Sequence, residues 1–123
     1  MIPLVSTLSP DFAITKKKRG KICTLAKVVR AWPTGEIVVA MPVKGRHFST
    51  PSLPPEALRL ARQAGATAWI VRFDQERRCY RLPLDVAERV GQVGDDGELY
   101  VSMRWFERCP WLEWPFVERM VEV

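Results

Sequence analysis

An α/β domain, built on a mixed β-sheet with an antiparallel hairpin and one main amphipathic helix, is the fold class this sequence predicts. Three stretches predict it. Residues 36–43 alternate, so that Ile37, Val39, Met41 and Val43 share one face of a strand. In residues 52–65, Leu53, Ala57, Leu60, Ala61 and Ala64 recur at helical spacing, with Arg59, Arg62 and Gln63 opposite. Residues 66–73 (ATAWIVRF) are apolar on both faces except for Arg72, the pattern of a strand buried in the middle of a sheet.

The remaining elements follow from their neighbours. Ile22 to Val29 is rich in β-branched residues and reads as a strand. Trp32-Pro33-Thr34-Gly35, with Pro at the second turn position and Gly at the fourth, should fold it back on 36–43 as an antiparallel hairpin. Gly45 to Pro51 reads as a loop. Ser52 is placed to cap the helix, Pro54, Pro55 and Glu56 suit its first turn, and Gly65 ends it. Asp74 to Arg77 turns the chain into a return strand, Arg78 to Leu82, and Asp85 should cap a short helix through Arg89. After a turn at Gly94 to Gly97, Leu99 to Phe106 alternates, predicting Leu99, Val101, Met103 and Trp105 on one face. In the tail, Val117, Met120 and Val121 fall at helical spacing, with Pro115 at the first turn.

Composition narrows the function classes. A chain of 123 residues, 47% hydrophobic with five Trp, has the length of a single domain (1–123) and argues against disorder. No apolar run nears the roughly 20 residues of a membrane span. Residues 1–15 are broken by Pro3, Pro10 and Asp11 and do not resemble a signal peptide, so the expected location is cytoplasmic, with no membrane partner. Cys23, Cys79 and Cys109 lie far apart, and His47 is the single histidine, so structural zinc is not expected and reduced thiols are.

The charge is strongly lopsided. Residues 1–50 hold nine basic side chains against Asp11 and Glu36, a net +7; residues 51–123 hold ten arginines against twelve carboxylates, a net −2. The run Lys16-Lys17-Lys18-Arg19-Gly20-Lys21 dominates the basic half, read as a loop before the first hairpin, and Lys44 and Arg46 add a second basic loop. Such a field concentrates polyanions, and DNA or RNA is the expected partner, met by Lys16, Lys17, Lys18, Arg19, Lys21, Lys44 and Arg46.

The run strand (EIVVAMPVK), helix (PPEALRLARQAG), strand (ATAWIVRFD), return strand ending CYRLPL resembles the core of the restriction-endonuclease-like fold, most closely the archaeal Holliday-junction resolvases. The resemblance covers about residues 36–84 and implies a sheet that binds DNA along one edge. Those nucleases carry carboxylates that hold Mg²⁺ and a lysine that orients water. Pro10-Asp11 and Lys44 match parts of that motif. The residue two before Lys44 is Pro42, which offers no metal ligand, and Glu36, eight positions before Lys44, lies about 26 Å from it on an extended strand. The expected protein is therefore not an enzyme and needs no cofactor. A nuclease would have to use Mg²⁺ with Asp11, Glu36 and Lys44. No nucleophile elbow or phosphate-binding loop is present, and His47 beside Ser49 reads as a loop residue.

The tail aromatics open a second line. Trp111, Trp114 and Phe116, with Trp105 and Phe106, suit a stacking platform, packing onto the domain, or an interface with a protein partner or a second copy. Glu107, Glu113, Glu118 and Glu122 would repel phosphates there, which favours packing or an interface. Three functions follow in order: a non-catalytic nucleic-acid-binding protein; a protein-interaction module, an inhibitor or adaptor of a nucleic-acid enzyme, using the tail; and a Mg²⁺-dependent nuclease.

Overall fold

The computed structural model of the protein describes residues 12–18, 21–43, 50–114 and 120–122. The elements in chain order are β1 (Phe12–Lys18), β2 (Lys21–Arg30), β3 (Ile37–Val43), β4 (Ser52–Leu53), α1 (Pro55–Gln63), β5 (Ala68–Phe73), β6 (Arg78–Pro83), α2 (Leu84–Val90), β7 (Gln92–Val93), β8 (Leu99–Tyr100), β9 (Glu107–Cys109) and β10 (Met120–Glu122). Among the described residues the main sheet has the order β10-β1-β2-β3-β5-β6-β9, and a small sheet has the order β4-β8-β7. The main sheet is mixed: β1 with β10 and β3 with β5 are parallel, and the other neighbours are antiparallel. The predicted hairpin is present, with Lys27 opposite Ala40 and Arg30 opposite Ile37. Its turn is closed by the Gly35 N–H donating to the Ala31 carbonyl at 2.8 Å, and Gly35 takes φ +77°, a conformation glycine adopts without cost.

α1 is the crossover that lets β5 run parallel to β3. It starts with Pro55, whose missing N–H costs nothing in a first turn, and ends in a Schellman motif. There Gly65 (φ +91°) donates to the Arg62 carbonyl at 2.9 Å, and Ala66 donates to that of Ala61 at 3.0 Å. Its buried face is Ala57, Leu58 and Ala61, so Leu58 takes the inward place expected of Leu60, which is half-buried. Ser52 does not cap the helix. Pro54 is the N-cap, and the Ser52 hydroxyl instead donates to the buried Glu98 at 2.8 Å. Asp85 lies inside the first turn of α2, where Pro83 is the N-cap, and it accepts from Arg62 of α1 at 2.7 Å, tying the two helices together.

Both faces of the sheet are covered. On the helical side Trp69, Val71, Phe73, Val39, Met41 and Leu82 form one core with α1, α2 and the small sheet. On the other side Val29, Val38, Ala40, Ala68, Ile70 and Cys79 pack with Leu112. The alternation read in residues 36–43 is therefore incomplete: Val38 and Ala40 are buried too, under the segment that follows β9.

Three further sequence expectations are overturned. Lys16 to Lys18 and Lys21 are not a loop; they lie in β1 and β2, which pair along their length with Lys18 opposite Lys21. β10 pairs only with Ala13, Ile14 and Thr15, so among the described residues the lysine half of β1 is a sheet edge, where lysine is the residue that discourages further pairing. Leu99 to Phe106 is not one strand. Ser102 accepts the Arg104 N–H and turns the chain into a single 3₁₀ turn, Met103–Trp105, so Phe106 enters the core against Trp69 and Trp105 turns outward. Met120 to Glu122 is a strand, not the end of a helix, because β1 offers it an unpaired edge. The rest of the predicted tail helix, with Pro115 and Val117, lies outside the described residues. No helix among the described residues is long and apolar enough to cross a membrane.

Candidate functional site

Strand direction brings the basic segments to one end of the sheet. β1 runs towards that end and finishes at Lys18, and β2 leaves it from Lys21. β3 also finishes there at Val43, so Lys44 is the next residue in the chain. Val43 is paired with Phe73, the last residue of β5, and Phe73 with Arg78, the first of β6. Four segments distant in sequence thus share an end: the lysine half of β1, the start of β2, the exit of β3 and the β5–β6 turn. Arg19, Lys44 and Arg46 lie outside the described residues, as do Asp11, His47 and Phe116.

The β5–β6 turn adds arginines that the sequence analysis did not assign to this site. Arg78 pairs with Glu76 and sits 4.6 Å over the Phe73 ring, and Arg72 pairs with Asp74 at 2.5 Å. Arg77 forms no ion pair among the described residues. It takes φ +52° and lies over the Trp111 ring at 4.4 Å. The signal for this cluster was Arg72 itself, the one charge in an otherwise buried strand, which needs partners to be stable there. It has them on the face opposite the helices: its guanidinium is 3.7 Å from the Trp114 ring centroid and 4.8 Å from that of Trp111, and it donates to the Leu112 carbonyl at 3.0 Å.

Trp111 and Trp114, named as interface candidates, are therefore half-buried partners of Arg72. The order Arg77, Trp111, Arg72, Trp114 is a stack of alternating cations and rings that fixes residues 110–114 across the sheet. Trp32 and Glu113 complete the attachment by exchanging backbone hydrogen bonds at 2.7 and 3.0 Å. Among the described residues the large apolar side chains left exposed are Trp32 (69%), Val93 and Trp105 (43%).

Glu36 sits at the other end of β3 from the residue preceding Lys44. Its carboxylate accepts from Arg81 at 2.6 Å and from the Thr67 hydroxyl at 2.6 Å. Burial pushes its pKa up, but the Arg81 and Thr67 hydrogen bonds outweigh burial and hold it below the ordinary carboxylate value. Glu36 and Val43, the last described residue before Lys44, thus lie at opposite ends of the strand. A group depressed in this way adds stability that is fully present above its unfolded pKa and is lost as pH falls through the folded value. Glu36→Gln should therefore cost about 1 kcal/mol at pH 7, discounted for the partial exposure of both partners, and the difference from wild type should shrink when pH is taken from 7 to below the ordinary carboxylate range. Urea unfolding at both pH values checks this.

Cys79 and Cys109 face one another across β6 and β9 as free thiols. Burial raises both pKa values, and for Cys109, with Cys79 beside it, to about 11. At pH 7.5 the Cys109 thiolate fraction is then on the order of 300-fold below that of an ordinary cysteine. Iodoacetamide should label the Cys109 peptide correspondingly slowly in the native protein, at a rate that recovers in urea, as read by mass spectrometry.

Comparison with protein-family models, curated proteins and solved structures gave no significant match for this chain.

Proposed function

We propose that this chain is a non-catalytic nucleic-acid-binding protein that meets the phosphate backbone with the basic end of its sheet. The observation that carries the reading is the register: it sets the start of β2 beside the lysine half of β1, and the exit of β3 beside the arginine-bearing β5–β6 turn. Within that turn Asp74 and Glu76 neutralise Arg72 and Arg78, so its surplus charge is Arg77. The bulk of the field belongs to Lys16, Lys17, Lys18, Arg19, Lys21, Lys44 and Arg46. Phosphate contacts of this kind position a nucleic acid without reading its sequence. The passage from β3 through α1 into the parallel β5 and the return strand β6 supports a restriction-endonuclease-like scaffold, and the distance of Glu36 from the β3 exit supports a binding role over a cleaving one.

The test is a titration of labelled duplex, single-stranded and branched DNA and of RNA from 50 to 200 mM salt, with and without Mg²⁺. Binding whose logarithm falls with log salt by about 0.9 per phosphate contact on duplex DNA supports the reading. No binding at 50 mM salt overturns it and turns attention to a protein partner. Cleavage that requires Mg²⁺ and is lost in Asp11→Ala and Lys44→Ala would establish a nuclease instead.

A further inference from the structure

Trp105 stands out once the fold is known. Its side chain is 43% exposed because the Ser102 turn hands the core position to Phe106. It also divides two hollows. One, of about 380 Å³, is walled by Thr50, Gln92, Tyr100 and Ser102 with Arg104; the other, of about 230 Å³, by Pro83, Val86 and Arg108 among others. The first falls within the roughly 300–1,000 Å³ of small-ligand sites and the second below it, which suits single planar groups more than an extended ligand.

The described arginines divide evenly between those held in ion pairs and those, Arg30, Arg77, Arg89, Arg104 and Arg108, that form none among the described residues. Arg59, Arg62, Arg72, Arg78 and Arg81 all have carboxylate partners. Arg104 and Arg108, on either side of Trp105, form no ion pair among the described residues, and the Arg104 guanidinium is 5.2 Å from the Trp105 ring centroid. Among the described residues Glu107 is the carboxylate on the smaller hollow's wall, and none lines the larger. Gln92 supplies an amide with donors and an acceptor. Ser102, whose oxygen already accepts from Arg104, has its O–H left to donate. An exposed aromatic face, a free guanidinium and an amide around one hollow are the groups that stack, neutralise and hydrogen-bond an unpaired nucleotide.

We propose that Trp105 is the stacking platform of a subsite for an unpaired base, with Arg104 on the adjoining phosphate and Gln92 and Ser102 facing the base edge. This deepens the nucleic-acid reading and rests on it: it names single-stranded nucleic acid as the preferred form, since a duplex offers no free base face.

The test compares wild type, Trp105→Ala, Trp105→Phe and Arg104→Gln for binding to oligothymidylate and to a duplex of equal length. Trp105→Ala should weaken single-strand binding roughly 5- to 150-fold and leave duplex affinity and its salt slope unchanged. Trp105→Phe, which keeps an aromatic face, should retain most of the affinity. Arg104→Gln should lower the single-strand salt slope by about one contact. Should Trp105→Ala fold poorly, oligothymidylate quenching of the wild-type tryptophan emission and its loss in Trp105→Phe decide the matter. Single-strand affinity unaltered in all three variants, in a protein that still binds DNA with a steep salt slope, overturns this subsite and spares the parent proposal. A wild-type protein that binds no nucleic acid overturns both.

Discussion

Replacing Lys16, Lys17 and Lys18 together by glutamate is expected to lower nucleic-acid affinity by at least several hundred-fold at 0.1 M salt. The magnitude follows from counterion release: three lost phosphate contacts remove about 2.7 from the salt slope, and each is worth nearly a factor of ten at that ionic strength. Six charge units are exchanged, taking the whole chain from +5 to −1. β1 should survive, because its pairing with β2 is made by backbone groups and its half nearest β10 carries the buried Ile14. Circular dichroism should therefore stay that of wild type while binding is lost. Affinity within threefold of wild type would mean that these lysines only shield a sheet edge.

The largest effect on stability is expected from Trp69→Ala. Trp69 is fully buried on β5, between β3 and β6, and meets the Phe106 ring edge-on at 5.5 Å. Truncation leaves a cavity that neither strand can close, at a cost of about 3–5 kcal/mol against a total of about 5–15. The melting temperature should fall by roughly 10–20 °C. Trp69→Phe is the informative control. The Trp69 Nε1–H is buried with no hydrogen-bond partner among the described residues, so the change removes a desolvated donor along with part of the ring. It should cost far less than alanine, and a thermal melt of the two variants separates lost volume from relieved polarity.

The helix and the central strands were legible because their patterns are local. ATAWIVRF is apolar throughout, and Gly65 both closes α1 and marks where β5 begins. What was illegible depends on residues far apart. FAITKKK looks solvated, yet it is a strand, because β2 pairs with it along its length and residues 120–122 pair with Ala13 to Thr15 on the other side. Trp105 was read on one face of an alternating strand with Leu99 and Val101, and a turn at a single hydroxyl, Ser102, sends Phe106 into the core instead. The site shows the same division. The charge asymmetry could be counted from composition, but that the β5–β6 turn joins the lysines at one end, and that Trp111 and Trp114 are held by Arg72, required the register.

The parallel pairing of β1 with β10 has a consequence for how the chain is made. Met120 is translated roughly 100 residues after its partner Ala13, about 5–20 s later at ordinary rates of synthesis. Throughout that interval the outer margin of β1 is without its final neighbour, in a crowded setting where a stray strand could add to it. Lysine repels such additions. The lysine run thus has a second use, independent of any ligand, as a guard on the growing polypeptide.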